Sequence, residues 1–245
     1  MPHFSAIVIP DYMGQETREP TLSSAISELL PHAIVIRAVN GCSRIPAISP
    51  PTPPNCLSVL SPPGFNQAIL AGLEVALATG ATRIAKIDTN SHDPANLPAL
   101  FAQLDHHDLA VLDHSFDPKT LAYDSAEYYH TAHVIPAVTS DATAAKLSLS
   151  GSHGLMAMRA PTLARLLPVA RSLVTALITA GESPSWSLDT AIIIAASRLD
   201  LRIDHRFVRA HERRDNHLDK SALQLHDLLG LIRALDVIIP LPSPR

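Results

Sequence analysis

The chain has 245 residues, 47% of them hydrophobic and 17% charged, with a formal net charge of -4. It is too apolar for a disordered segment and long enough to bury one core, and it carries no broad positive field for nucleic acid or an acidic membrane. The two cysteines, Cys42 and Cys56, exclude a disulfide framework and lack the spacing of a zinc site, while one disulfide stays open. A small polar substrate is the easier partner to accommodate. Met1-Pro2-His3-Phe4 shows no basic region before a long apolar run, and no later stretch reads as an uninterrupted spanning helix. The expected compartment is therefore the cytosol.

Ser5 to Ile9 is a short apolar run stopped by Pro10, and Ala33 to Ile36 is another. With Leu22, Ile26, Leu29 and Leu30 forming a helical stripe between them, the two read as a βαβ unit and imply a parallel sheet. Pro46 to Pro54 is proline-rich, favours an extended polyproline segment and reads as a loop within one domain. Ile69, Leu73, Ala76 and Leu77 line one face of the next helix, with Gly80 placed to stop it in a left-handed conformation.

A strand follows at Arg83 to Ile87. Asp93-Pro94 then opens a helix with the stripe Leu97, Leu100, Phe101 and Leu104, and Leu109 to Leu112 is the next strand. The stretch from His114 to Ser150, with Tyr123, Tyr128, Tyr129, His130 and His133, has no sustained period. After it come a strand at Gly151 to Met158, a helix opened by Pro161, a helix from Ser187 to Leu199 and an extended run from Leu201 to Ala210. The fold class expected is α/β: a single Rossmann-like domain whose mostly parallel central sheet carries helices on both faces, with ligands beyond the carboxyl ends of the strands.

From Ser221 to Ile239, Leu225, Leu228, Leu229, Ile232 and Leu235 recur with the period of an amphipathic helix. Packing on the domain, docking on a membrane and pairing in a homo-oligomer are its three readings.

Asp88-Thr89-Asn90 follows its strand directly and sets two hard oxygen ligands on one side of a turn. That donor type suits magnesium or manganese, which keep further positions for water and substrate phosphate. The local alternative is a turn that caps the next helix.

The stretch from Gly64 to Asn90, a glycine-containing helix followed by the strand that ends in Asp88-Thr89-Asn90, resembles the centre of GT-A-fold nucleotide-diphospho-sugar glycosyltransferases, particularly the inverting dolichyl-phosphate mannose synthase-like group. Ala6 to Met13 resembles that family's opening strand and loop, Gly154 to Arg159 its acceptor-side strand, and Trp186 to Asp189 the tryptophan and acid before its late helix.

The resemblance implies a single GT-A-type domain, with a nucleotide-sugar-binding half over 1–112, an acceptor half over 113–214 and a C-terminal helix over 219–239. It implies metal ligation by Asp88, Asn90 and His211, with Arg213 and Arg214 pairing with the donor diphosphate. Pro10, Asp11, Tyr12, Asn40 and Asn66 would be donor contacts, and Asp189 the base for the acceptor hydroxyl. The Tyr123 to His133 region would face the acceptor. Asp189 reads equally as a first-turn acid that complements the helix dipole, and His211 as a surface residue.

Departures from the family pattern are Asn40 and Arg44 in place of acids at the second strand, Met13 in the opening loop, and Asn90 for an aspartate. An amide in place of a carboxylate lowers cation affinity unless the diphosphate supplies the missing charge. Three functions stay open: a glycosyltransferase with an altered donor pocket, a nucleotidyltransferase or hydrolase using Asp88, Asn90, His92 and Asp93, and a non-catalytic binding protein.

Overall fold

The computed structural model describes residues 4–12, 19–41, 53–89, 93–115, 154–179, 188–209, 230, 233–235 and 237–239. In chain order the elements are β1 (Ser5–Tyr12), α1 (Glu19–Leu29), β2 (Ile34–Asn40), β3 (Cys56–Leu60), α2 (Phe65–Ala78), β4 (Arg83–Ile87), a 3-10 turn (Pro94–Asn96) and α3 (Leu97–Gln103). They continue with β5 (Leu109–Ser115), β6 (Leu155–Arg159), α4 (Ala160–Thr179), α5 (Leu188–Arg198) and β7 (Ile203–Arg209).

The strands form one seven-stranded sheet in the order β3-β2-β1-β4-β6-β5-β7. All neighbours are parallel except β6, which runs antiparallel to both β4 and β5. The amino end of β6 therefore lies at the edge where the other strands present their carboxyl ends.

Side-chain alternation sends the two faces of the sheet into two cores. Ala6, Val8, Ile36, Ile84, Val111 and Met156 pack beneath α2, α4 and α5. Ile7, Ile9, Val35, Ala85, Ile87 and Ala110 pack against α1 through Leu22 and Ile26, and against α3 through Leu97, Leu100 and Phe101. Helices on both faces are as the sequence implies.

Three local expectations change. Pro10 does not end β1, which runs on to Tyr12 with Pro10 in register with Ala38; β4 pairs with β1 only as far as Val8, so a residue without an N–H is tolerated beyond that point. β3 was not foreseen: it is an edge strand whose residues are partly exposed, and it follows the proline-rich run closely. The helix begun by Asp93-Pro94 opens as a 3-10 turn, with the Asp93 carboxylate accepting from Ala95 N at 2.9 Å.

Two glycines, one within α2 and one just after it, act differently. Gly80 adopts φ +78 and ends the helix, as expected. Gly72 lets the helix lie close on the sheet, since a Cβ there would stand 2.3 Å from Val8 Cγ1 and 3.3 Å from Ala38 Cβ.

α4 is long and apolar enough to cross a membrane by length and composition. Its Leu163, Leu166, Leu167, Ala170, Leu173 and Leu177 are nevertheless buried in the core above the sheet. Near the C-terminus, Leu235 is fully buried in that same core, and Arg198 Nη1 donates to Ile239 O at 3.1 Å. This part of the expected amphipathic helix packs on the domain. Leu225, Leu228, Leu229 and Ile232 lie outside the described residues.

Candidate active site

β4 is a buried strand at the middle of the sheet, and a lysine sits in it. Lys86 shares the face of Ile84 and is wholly buried, a position a lysine occupies only with partners. Its Nζ lies 2.8 Å from Asp88 Oδ1, just past the end of the same strand, and forms a hydrogen-bonded ion pair with Asp189 Oδ2. The Phe65 ring is a further neighbour, its centroid 5.6 Å from the ammonium. Burial alone would push the lysine toward neutrality, but the charges of Asp189 and Asp88 and their hydrogen bonds outweigh it. Lys86 is held above its ordinary value of 10.5 as an ammonium.

The acids come from two elements. Asp88 follows β4, where its backbone N donates to Gly154 O at 2.8 Å, so the antiparallel β6 fixes the turn that carries it. Asp189 stands in the first turn of α5, where the helix dipole favours an acid. Asn66, at the start of α2, ties the groups together by accepting from Leu188 N at 3.3 Å through Oδ1. The starts of α2 and α5 and the end of β4 thus converge on one point at the carboxyl edge of the sheet.

Two further groups end strands at this edge. Asn40 closes β2 in register with Tyr12 of β1; it is fully buried, and neither its Oδ1 nor its Nδ2 has a hydrogen-bond partner among the described residues. The same holds for Asn66 Nδ2 and Asp189 Oδ1. Unsatisfied amides in a buried site are costly and commonly mark a missing ligand or water. Asp11, near the end of β1, is engaged by Arg37: Oδ2 accepts from Nε at 3.1 Å and from Nη2 at 2.7 Å, with both residues buried.

Of the residues singled out in the sequence, Pro10, Asp11, Tyr12, Asn40, Asn66, Asp88 and Asp189 therefore gather at one edge. Asn90, His211, Arg213, Arg214 and the Tyr123 to His133 region lie outside the described residues. Lys86 escaped sequence reasoning, although a charge inside the apolar run Ile84-Ala85-Lys86-Ile87 was the available signal. Asp93, offered for a hydrolase cluster, is occupied as a cap, and among the described residues no group of three or more His, Cys, Asp or Glu side chains is placed to hold a metal.

A single α/β domain with this mixed, mostly parallel sheet has the fold of GT-A type glycosyltransferases. Among solved structures it is similar to glucosyl-3-phosphoglycerate synthase from Mycobacterium tuberculosis in complex with Mn2+, uridine diphosphate and glucosyl-3-phosphoglycerate, with TM-score 0.66, 18% identity, and 99% of this chain and 82% of that one covered. A further crystal structure of the same synthase gives TM-score 0.62 at 18% identity over the same shares. A structure described as a mycobacterial protein gives TM-score 0.66 at 16% identity, covering 99% of this chain and 76% of that one. No family model and no curated protein matches the chain.

Proposed function

We propose that the chain is a metal-dependent glycosyltransferase that moves a sugar from a nucleotide-diphospho-sugar to an acceptor hydroxyl. The observation that carries this reading is the pair of carboxylates, Asp88 and Asp189, joined through Lys86 at the carboxyl edge of a GT-A type sheet. The solved structures of similar fold support it, since they hold Mn2+ and uridine diphosphate or its glucose conjugate, with phosphoglyceric acid in one of them.

The donor set fits a hard divalent cation of the magnesium or manganese type. Asp88 stands at an open strand end with its side chain 18% exposed, and such ions are commonly held by one or two carboxylates with substrate phosphates supplying other positions. Asn90 and His211 are the further ligands in this reading, and Arg213 and Arg214 pair with the diphosphate. The cation, when bound, stabilises the charge that gathers on the departing nucleoside diphosphate.

The remaining work falls to the chain's own side chains. Asn40 and Asn66 bring amide groups to the donor, whose contacts satisfy atoms otherwise left without partners. Lys86 holds Asp189 by Oδ2, leaving Oδ1 to take the proton of the acceptor hydroxyl. With Asp189 as base the reading takes the transfer as inverting, in keeping with the dolichyl-phosphate mannose synthase-like grouping suggested by residues 64–90.

The test is release of nucleoside diphosphate from UDP-, GDP- and dTDP-sugars with Mn2+ or Mg2+ and a panel of acceptors that includes phosphoglyceric acid, with the product anomer read by NMR. Metal-dependent release that disappears in Asp88→Ala and Asp189→Ala is expected. Wild-type rates in both variants would remove the site assignment, and a retained anomer would remove Asp189 as base.

A further inference from the structure

Lys86 is not at liberty to act as a mobile surface lysine. It is wholly buried, bonded to Asp189, and 2.8 Å from the one described carboxylate assigned to the metal. We propose that Lys86 is a built-in counter-cation that occupies Asp88 in the resting protein and makes divalent-cation binding depend on a nucleoside diphosphate. The inference rests on the glycosyltransferase reading of the same site.

The argument is one of charge and space. Among the described residues two carboxylates and one ammonium share the cluster, so a free divalent ion approaching Asp88 meets an ammonium 2.8 Å from the carboxylate oxygen it would ligate. Like-charge repulsion between the ammonium and the ion at this range lowers affinity by roughly tenfold or more. A diphosphate reverses the balance, because it brings several negative oxygens that ligate the ion directly. The two ligands then bind cooperatively, and by linkage each strengthens the other equally. The Asp189 bond supplies the other half of the device: with both acids drawing on one ammonium, Lys86 has a second place to direct its charge when Asp88 turns to a metal, without leaving the core.

Mn2+ binding, read from the loss of the free-ion electron paramagnetic resonance signal, tests this with and without UDP. Wild-type protein is expected to bind Mn2+ alone weakly and to bind it at least about tenfold more tightly with UDP. Lys86→Met/Asp189→Asn removes the ammonium beside Asp88 together with one acid, so the net charge of the described cluster is unchanged while the neighbouring positive charge is lost. It should bind Mn2+ alone about tenfold more tightly than wild type and gain less from UDP. Equal Mn2+ affinity in the two proteins, with UDP-dependent binding intact, overturns the inference and leaves the functional reading standing. Should the variant not fold, the wild-type chain still decides: Mn2+ bound as tightly without UDP as with it overturns the inference. No Mn2+ binding by wild type with UDP, GDP or dTDP overturns the functional reading and the inference with it.

Discussion

Lys86 on β4 and Asp189 on α5, 103 positions apart in sequence, meet as a buried ion pair that binds the helix start to the middle of the sheet. Removing only the lysine leaves the Asp189 carboxylate buried without its ammonium partner. Lys86→Met is therefore expected to cost about 3–5 kcal/mol of stability in urea unfolding. Lys86→Met/Asp189→Asn should recover most of that loss, because replacing both members of such a pair is close to neutral.

The pH dependence follows from the direction of the lysine's shift. Its folded value is raised above 10.5, so its stabilising contribution is fully present below that pH and is lost as pH rises through the folded value. Unfolding free energy of the wild type should fall in strongly alkaline solution more steeply than that of Lys86→Met/Asp189→Asn. Parallel pH curves for the two proteins would contradict the pairing.

α2 offers two glycine tests with different causes. Gly72→Ala places a Cβ 2.3 Å from Val8 Cγ1, and overpacking of this kind costs about 1–3 kcal/mol; adding Val8→Ala should return part of it by clearing the contact. At Gly80 nothing lies within 4 Å of the added Cβ, but φ is +78, so Gly80→Ala should cost about 1–2 kcal/mol through backbone conformation alone. No change at Val8 should rescue it. Thermal melts of the single and double variants separate the two mechanisms.

Arg37 and Asp11 form the second buried pair at the carboxyl edge. Asp11→Ala and Arg37→Leu should each cost about 3–5 kcal/mol, whereas the double variant should cost well under the sum. Additive losses in denaturant would mean that the pair contributes no coupling.

Much of the fold was legible because its signals are local. β4 was read with its bounds, the α2 stripe and the Gly80 stop followed from helical periodicity, and the Asp93 cap from side-chain chemistry. What escaped depends on distant partners. β3 has no buried face to give an alternating pattern, and the reversed direction of β6 is decided by its pairing with β4 and β5, not by its own residues. The site divides in the same way. Asp88 was visible from its place after an apolar strand, whereas Lys86 acquires meaning only when α5 brings Asp189 to it. The engagement of Asp11 by Arg37 was equally hidden, because neither residue shows from its neighbours that the other stands on the adjacent strand.

The central claim, a metal-assisted nucleotide-sugar site organised by Asp88, is tested most directly by calorimetric titration of UDP-, GDP- and dTDP-sugars into the protein with Mn2+, with chelator, and into Asp88→Ala. Binding of at least one donor in Mn2+, abolished by chelator and by Asp88→Ala while the variant keeps its fold, is the predicted result. Absence of binding to every donor in Mn2+, or binding indifferent to both chelator and the substitution, would contradict it.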